Sequence, residues 1–495
     1  MEKSEKELGK KSSIAFVSQI FGNFLYMLFV VMSGRLLGKN AYGDVVYVIT
    51  ILSFIVVITK FGFENSLVAF IARTDITEGQ KRWIIRSSIR TSFLLCVTII
   101  FAFFIFRSKL DILTGSSQVD ETLFLSIVPF LFFQTMIPLM SAVIRGHKDI
   151  VGYCMSSLVF AYLIGTAGIP VFYFVFGLHD AYCLVAVYYA SYILNLLYCV
   201  HYLWKKGLLT GEKEYFPWKR LLAYSFPLLM AGMVSVLNKE IDQYMVGYFL
   251  DSGSVGIYSM AADAALFSSF ALMAVNSIFA PMISELYHAG KLNELRSLYS
   301  SSTKWVVVVN VMIFGMILVF ADDVMHLVGE EFVVGSPVLI IIMLGQLVNS
   351  GVGSADFLNS MTGYPKYDMF ANVSAVTVNI IMNLLLIRDY GMLGVGAATA
   401  ASAAIYNIVN FIFMYRHLHM HPYNKRFLGI ALAFVCSVPV IFILKKLLDI
   451  HFLIRLFISG VIYVVIYGVF IYIFVCDSPE KGIIRSFLRR NHYKG

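Results

Sequence analysis

Long apolar runs alternate with short polar gaps along almost the whole chain. Fourteen of the runs are long enough to cross a bilayer as helices, because the hydrocarbon core takes about 20 apolar residues. The predicted spans begin near residues 14, 43, 91, 122, 151, 182, 223, 256, 305, 337, 370, 394, 427 and 454. No gap is long and polar enough to form a separate soluble domain. The pattern predicts an all-α integral membrane protein with fourteen transmembrane helices.

The first apolar run is expected to stay in the protein as a spanning helix. It is longer than the apolar region of roughly 7–15 residues that a signal peptide carries, and no small-residue cleavage site follows it. The composition agrees with a membrane protein: 59% of the 495 residues are hydrophobic and 14% are charged, against about 25% charged in soluble domains.

The basic residues fall mainly on one side of the predicted membrane. With the gaps numbered alternately, the side of the N-terminus holds 28 of the 38 Lys and Arg residues, and the other side holds eight. The positive-inside rule therefore places both termini in the cytoplasm, in a plasma membrane whose anionic lipids contact the basic gaps. The formal charge of +8 follows from this topology and does not indicate a nucleic-acid partner. The outward gaps are all short, which excludes a large external catalytic domain.

Two segments recur at a nearly constant distance and indicate an internal repeat. "GRLLGKNAYGDVVY" at 34–47 aligns with "GYFLDSGSVGIYSM" at 247–260, and "GLHDA" at 177–181 aligns with "GMLGV" at 391–395. Six predicted helices separate equivalent points, so the repeats are parallel and surround a central cavity. The expected order is a six-helix bundle (1–203), a cytoplasmic linker (204–222), a second six-helix bundle (223–415), two appended helices (416–476) and a cytoplasmic tail (477–495).

The predicted seventh helix carries charged residues at mid-depth, in "SVLNKEIDQYMVG" at 235–247. A charged side chain at the bilayer centre costs at least about 2.5–3.5 kcal/mol, so this helix needs a function or partners for its charges. At about 100° per residue, one face collects four polar side chains with Glu240 at its edge: Asn238, Lys239, Asp242 and Gln243. Two interpretations stay open: the wall of a hydrated cavity, or a structural ion-pair and hydrogen-bond cluster between helices.

Several of these segments resemble a known family in their order and spacing. "GRLLGKNAYG" is similar to its turn between helices 1 and 2. The segment 220–261 is similar to its seventh-helix signature, with Pro227, Asp242, Gly256 and Tyr258 in register. "FAPMISELYHAG" and "LVGEEFVVGSPVL" are similar to later segments. The chain thus resembles the Wzx-type flippases of lipid-linked oligosaccharides, whose superfamily also contains multidrug exporters and the peptidoglycan-precursor flippase.

The resemblance implies the transfer of a polyprenyl-diphosphate-linked oligosaccharide to the outer leaflet by alternating access, without enzymatic chemistry. The implied partners are this substrate, membrane lipids and other polysaccharide assembly proteins, and the protein is expected to be a monomer. No cofactor or metal is expected, and a proton, Na⁺ or the membrane potential supplies the drive. A cation-coupled multidrug exporter is the nearest alternative, and a membrane-embedded glycan polymerase or ligase is an alternative of a different class.

Further polar residues within the apolar runs are candidates for the cavity. Lys60 and Glu64, four apart in the second helix, either line it or simply pair, and Asp263 is either a coupling site or a buried neutral acid. Asn23 lines the cavity or bonds across helices. Because both deep lysines have carboxylates nearby, the cavity is expected to be near neutral, which leaves more of the binding to the sugar. The arginines that meet the diphosphate or anchor to lipid headgroups are Arg35, Arg73, Arg90 and Arg145.

Neither cysteine nor histidine gives a persuasive metal site. The six cysteines show no C-x-x-C spacing and are expected to be small buried hydrophobes. His417, His419 and His421 alternate in a predicted cytoplasmic gap, but no Cys or acid completes a ligand set.

Overall fold

The computed structural model describes residues 2–117, 119–448 and 451–482, and helices account for all the regular structure of these residues. The predicted all-α class is therefore confirmed. The helices are α1 (Glu2–Lys60), α2 (Phe63–Ile71), α3 (Glu78–Ile105), α4 (Asp111–Thr114), α5 (Glu121–Ile127), α6 (Phe130–Gly146), α7 (Ile150–Cys154), α8 (Phe160–Pro170), α9 (Ala181–Lys205), α10 (Trp218–Phe249), α11 (Ser252–Leu266), α12 (Ser269–His288), α13 (Leu292–His326), α14 (Ser336–Val352), α15 (Ala355–Met361), α16 (Pro365–Leu418), α17 (Arg426–Leu447) and α18 (Phe452–Phe474).

Eleven segments of the described chain are helical, long and apolar enough to cross a membrane, so the protein is a multi-pass membrane protein. Two of them, Ser18–Lys60 and Pro365–Leu418, have 43 and 54 residues. At about 1.5 Å per residue, the first is about twice and the second nearly three times as long as the hydrocarbon core is thick. Each turns at a glycine with positive φ, Gly38 in α1 and Gly391 in α16. Each therefore contains two of the predicted spans, while the number fourteen stays a prediction.

The chain forms two compact units, Met1–Met260 and Ala261–Gly495. The predicted bundle boundaries stay a prediction, and the predicted tail lies outside the described residues from position 483 onward. The first unit has an apolar core where α2, α6, α9 and α10 meet. Phe63, Leu67, Leu139 and Leu203 in this core have no exposed surface.

Within the first unit, the two copies of the repeated glycine motif pack against each other. A Cβ added to Gly43 of α1 would lie 1.9 Å from the carbonyl oxygen of Ser252, and one added to Gly256 of α11 would lie 2.4 Å from that of Lys39. Lys39 and Ser252, like Gly43 and Gly256, occupy equivalent places in the aligned motifs. This reciprocal contact is what an approximate two-fold relation between parallel repeats produces.

The segment that connects α9 to α10 is bonded to the first turns of α3. The Glu214 carboxylate accepts hydrogen bonds from Thr77 Oγ1 (2.5 Å) and Gln80 Nε2 (3.3 Å). Arg82 Nε donates to the carbonyl of Glu212 (2.7 Å) and Arg86 Nη2 to that of Gly211 (3.0 Å). We call residues 207–217 and these bonds the α3 clasp. It fixes the start of α10 to the first unit.

In the second unit, charged pairs join α13 to α17, α18 and the residues that follow α18. Lys445 of α17 and Arg455 of α18 both pair with the buried Asp323 of α13, the former at 3.1 Å. Nearer the N-terminus of α13, Lys304 Nζ donates to Glu480 Oε1 at 2.6 Å, and Lys304 is only 2% exposed. The two helices predicted as an appended pair, with the segment that follows them, are thus bonded to α13 at two places.

Candidate functional site

A polar cavity of about 360 Å³ lies inside the first unit. Side chains of α1, α2 and α10 form one wall, and side chains of α6, α7, α8 and α9 form the other. Five charged residues line it: Lys60, Glu64, Arg145, Lys239 and Glu240. In a unit whose helices are otherwise apolar, this is the place where a hydrophilic group can be accommodated at membrane depth.

A break between α1 and α2 places Lys60 and Glu64 in the cavity. Phe61 and Gly62 both adopt left-handed backbone conformations, with φ of 50° and 69°. Lys60 ends α1 and Glu64 lies in the first turn of α2, so each charge complements the dipole of its own helix end. The two side chains pair at 2.6 Å. The pair therefore has a structural role at the break as well as a place in the cavity wall.

The second charged pair comes from α10. Lys239 Nζ lies 2.9 Å from Glu240 Oε1. Glu240 is nearly buried, with 10% of its side chain exposed, whereas 79% of the Lys239 side chain is exposed. The lysine therefore keeps its ammonium accessible while its partner is held in the helix packing.

On the opposite wall, α6 presents one polar face along the cavity. This face carries Gln134, Ser141 and Arg145, which are separated by seven and four residues. The distance from Gln134 to Arg145 along the helix axis is about 16 Å. The Arg145 guanidinium lies 5.4 Å from the centre of the Tyr153 ring. Among the described residues, no carboxylate lies within 4 Å of Arg145, so its charge is not neutralised by a direct ion pair.

A widened helical turn contributes the hydroxyl groups of the same wall. Residues Met155–Val159 form a π-helix between α7 and α8, a feature that occurs often at functional sites. Ser141 Oγ donates to Ser156 Oγ (2.9 Å), and Asn195 Nδ2 of α9 donates to the carbonyl of Ser156 (2.8 Å). These bonds hold the hydroxyls and the amide in fixed positions.

The cavity is close to electrical neutrality, as the sequence predicted. Its three cations and two carboxylates give a formal charge of +1, and two of the cations are paired. Arg145 supplies the remaining positive charge at one end.

The other predicted site residues lie outside the lining of this cavity. Asp242 is buried on another side of α10, and Gln243 accepts a hydrogen bond from Thr50 Oγ1 at 2.9 Å. Arg73 stacks on Phe70 at 5.0 Å. The remaining candidates are Asn23 (half-buried, α1), Arg35 (exposed, α1), Arg90 (exposed, α3), Asn238 (exposed, α10) and Asp263 (half-buried, in the second unit). Their roles toward a substrate stay predictions.

Sequence reasoning missed most of the neutral side chains of the cavity. Gln134 and Asn195 are single amides inside the apolar runs "FLFFQTM" and "YILNLLY", and this isolation is the signal that would have identified them. The π-helical turn has no comparable signal. Of the three predicted cytoplasmic histidines, His417 packs at a tilt of 56° against Tyr364, with ring centres 3.9 Å apart.

Comparison with known proteins gives matches over nearly the whole chain. Residues 8–287 match the family described as polysaccharide biosynthesis protein, and residues 227–385 match the MatE family. A probable low-salt glycan biosynthesis flippase of Haloferax volcanii, Agl15, is 24% identical over 97% of this chain and 99% of its own length. An uncharacterized membrane protein of Methanocaldococcus jannaschii is 22% identical over 90% of this chain and 91% of its own length.

Solved structures show the same fold. The lipid II flippase MurJ in an inward closed conformation aligns with a TM-score of 0.74 at 17% identity, over 92% of this chain and 98% of that chain. An inward-facing multidrug resistance transporter of the MATE family aligns with a TM-score of 0.64 at 12% identity, over 80% and 94% of the two chains.

Proposed function

Because the chain belongs to the polysaccharide biosynthesis protein family, we propose that it moves a polyprenyl-diphosphate-linked oligosaccharide from the cytoplasmic to the outer leaflet of the plasma membrane. The family match covers more than half of the chain, and the similarity to a probable glycan flippase extends over nearly all of it. The structural observation that carries the proposal is the polar cavity inside the first unit, since a headgroup that crosses the membrane needs a hydrophilic environment at depth.

Arg145, which has no direct ion pair among the described residues, lies at the end of α6 that the charge pattern predicts to face the cytoplasm. The Thr59–Thr135 hydrogen bond (2.7 Å) joins α1 to α6 next to Lys60 and Gln134, about 16 Å along α6 from Arg145. The anionic diphosphate is expected to meet Arg145 first, and the headgroup then passes along the cavity while the polyprenyl tail stays in lipid.

The charge of the substrate itself supplies a driving force. A potential of 100 mV, negative inside, favours the outward movement of each negative charge by about 2.3 kcal/mol. We propose that this potential, with or without a coupled proton or Na⁺, drives the transport, and that the two states of an alternating-access cycle expose the headgroup to opposite sides. A transport assay in which an ionophore collapses the potential, at a fixed ion composition, separates the contribution of the potential from that of a coupled proton or Na⁺.

The decisive experiment is deletion of the gene. The expected result is accumulation of lipid-linked glycan that is accessible to glycosidases only in inverted membrane vesicles, together with loss of surface glycan. If surface display is unchanged and no lipid-linked glycan accumulates, the flippase function is rejected.

Complementation then tests the cavity. Arg145→Ala is expected to lower the transport rate about 10-fold or more, because a hydrogen bond to a charged group contributes about 1.5–3 kcal/mol, and Arg145→Lys is expected to restore part of it. Arg220→Ala is the matched control, because Arg220 is an exposed arginine of the same predicted side that does not line the cavity and, like Arg145, lies over an aromatic ring. Equal transport by Arg145→Ala and Arg220→Ala, at equal protein levels, contradicts a role of the cavity.

The match to the MatE family over residues 227–385 favours one second candidate, cation-coupled export of drugs. This function predicts that the deletion strain becomes more sensitive to such drugs and that its glycan-linked lipids stay unchanged. The same deletion therefore separates the two functions.

A further inference from the structure

The two walls of the cavity differ in chemistry. The wall of α1, α2 and α10 carries the four paired charges, from Lys60, Glu64, Lys239 and Glu240. On the wall of α6, α7, α8, α9 and the π-helical turn, every polar residue except Arg145 at its end is uncharged. These residues are Gln134, Ser141, Tyr153, Ser156, Ser157, Tyr162, Tyr192 and Asn195. We call this second set the neutral wall.

Two groups of the neutral wall have hydrogen-bonding capacity that the protein does not use. The Gln134 side chain makes no hydrogen bond with any described residue, and its Oε1 is buried without a donor. The Tyr192 hydroxyl of α9 has no hydrogen-bond partner within the described part of the chain either. The Tyr192 ring lies 4.5 Å from that of Phe130, which precedes Gln134 by one turn of α6. Both groups line the same wall of the cavity.

A buried acceptor without a partner, such as Gln134 Oε1, costs about 1–3 kcal/mol. An amide provides two donors and one acceptor, and a tyrosine hydroxyl provides one donor and also accepts. A ligand that matches them needs several groups that both donate and accept hydrogen bonds, without charge. The hydroxyl groups of a sugar have this property.

We propose that the neutral wall is a carbohydrate subsite, in which Gln134 and Tyr192 select an uncharged sugar residue of the translocated headgroup. The choice of ligand rests on the flippase function proposed above. Ser156 and Asn195, fixed by their mutual hydrogen bond, present polar groups on the same wall, and the Tyr192 ring offers an apolar face. Arg145 at the end of this wall then meets the phosphates, while the neutral wall distinguishes one glycan from another.

The probe is the oligosaccharide that mild acid releases from the strain's polyprenyl-diphosphate glycan, since it carries the sugars without the phosphates. Saturation-transfer difference NMR on the full-length protein in detergent micelles measures its binding. Wild type is expected to give signals on the sugar protons. Tyr192→Phe and Gln134→Leu are each expected to weaken binding about 3- to 10-fold, which is the worth of one neutral hydrogen bond.

Tyr198→Phe is the matched control. Tyr198 lies on the same helix, its hydroxyl has no hydrogen-bond partner among the described residues either, and it does not line the cavity. Tyr192→Phe removes a single oxygen, so it provides a readout even where Gln134→Leu alters folding.

The proposal is overturned if the wild type gives no signal, or if Tyr192→Phe binds the oligosaccharide as tightly as Tyr198→Phe does. Its failure is separable from failure of the flippase function. Accumulation of lipid-linked glycan in the deletion strain, without sugar binding by the purified protein, rejects the subsite alone. Sugar binding that requires Tyr192, without any accumulation, rejects the flippase function alone.

Discussion

Addition of a methyl group at the reciprocal glycine contact is expected to destabilise the first unit. In Gly43→Ala, the new Cβ would lie 1.9 Å from the carbonyl oxygen of Ser252, about 1.5 Å short of ordinary van der Waals contact. The atom it meets belongs to the backbone, so a side-chain rotation cannot relieve the overlap. The helices α1 and α11 must therefore move apart at their closest approach.

The expected change in the free energy of unfolding is the difference between two opposed effects. Alanine in place of glycine in the middle of a helix stabilises it by about 0.5–1 kcal/mol, whereas an overpacked contact costs about 1–3 kcal/mol. The overlap at Gly43 is severe enough to place the cost in the upper part of that range. The net expectation is a destabilisation of about 1–2 kcal/mol. Gly256→Ala, with a separation of 2.4 Å from the carbonyl of Lys39, is expected to have the same sign.

The assay is the apparent unfolding temperature of the purified protein, in one detergent and at one scan rate. Gly468→Ala in α18 is the control, because nothing lies within 4 Å of a Cβ at this position, and it is expected to raise the unfolding temperature. The double variant Gly43→Ala/Gly256→Ala should lose less than the sum of the single variants, since both act on one contact. The reasoning is refuted if Gly43→Ala raises the unfolding temperature as Gly468→Ala does.

Three further predictions concern the polar contacts that hold the segment after α18 and the segment before α10. Glu480→Gln should destabilise the second unit by about 3 kcal/mol, because it leaves the buried Lys304 ammonium without its partner; an unchanged unfolding temperature contradicts this. Burial raises the pKa of Glu480, but the Lys304 hydrogen bond, the Asp477 amide and the Lys304 charge together bring it below 4.5. The stabilisation that the Glu480 carboxylate gives the folded state is therefore present above pH 4.5 and is lost as the pH falls below that value. Unfolding scans between about pH 3 and 7 should show this loss for the wild type and not for Glu480→Gln. Glu214→Ala removes the carboxylate of the α3 clasp and should speed proteolytic cleavage within 207–217. Glu212→Ala is the control and should leave the cleavage rate unchanged, because only the backbone carbonyl of Glu212 accepts the hydrogen bond from Arg82. Equal cleavage rates of the two variants contradict the clasp.

Hydropathy and charge were sufficient to predict the fold class from the sequence. Apolar runs of about 20 residues have few alternatives to spanning helices, and the glycine motif at offset 213 identified two segments that pack against each other. The π-helical turn and the left-handed break after Lys60 were not predicted. A non-glycine residue with positive φ, such as Phe61, is set by tertiary packing and leaves no pattern in the sequence.

The candidate site was predicted in part. Lys60, Glu64, Lys239 and Glu240 were chosen because charge at membrane depth is costly, and all four line the cavity. The helical projection grouped Lys239 with Asp242, yet the structure exposes the first and buries the second. A projection gives the direction of a side chain from its own helix and contains no information about the neighbouring helix that covers it.

The packing of α10 against earlier parts of the chain has a consequence for biogenesis. Among the eleven spanning segments found in the described chain, Trp218–Phe249 has the lowest mean hydropathy, 1.6, and it carries charges that oppose its partition into lipid. Thr50, Gly62 and the α3 clasp, which hold it, all precede it in the chain. As the nascent chain leaves the ribosome, this helix thus finds its partners already in the bilayer. Its insertion should depend on them, so a fragment that begins after α3 should leave this helix outside the membrane.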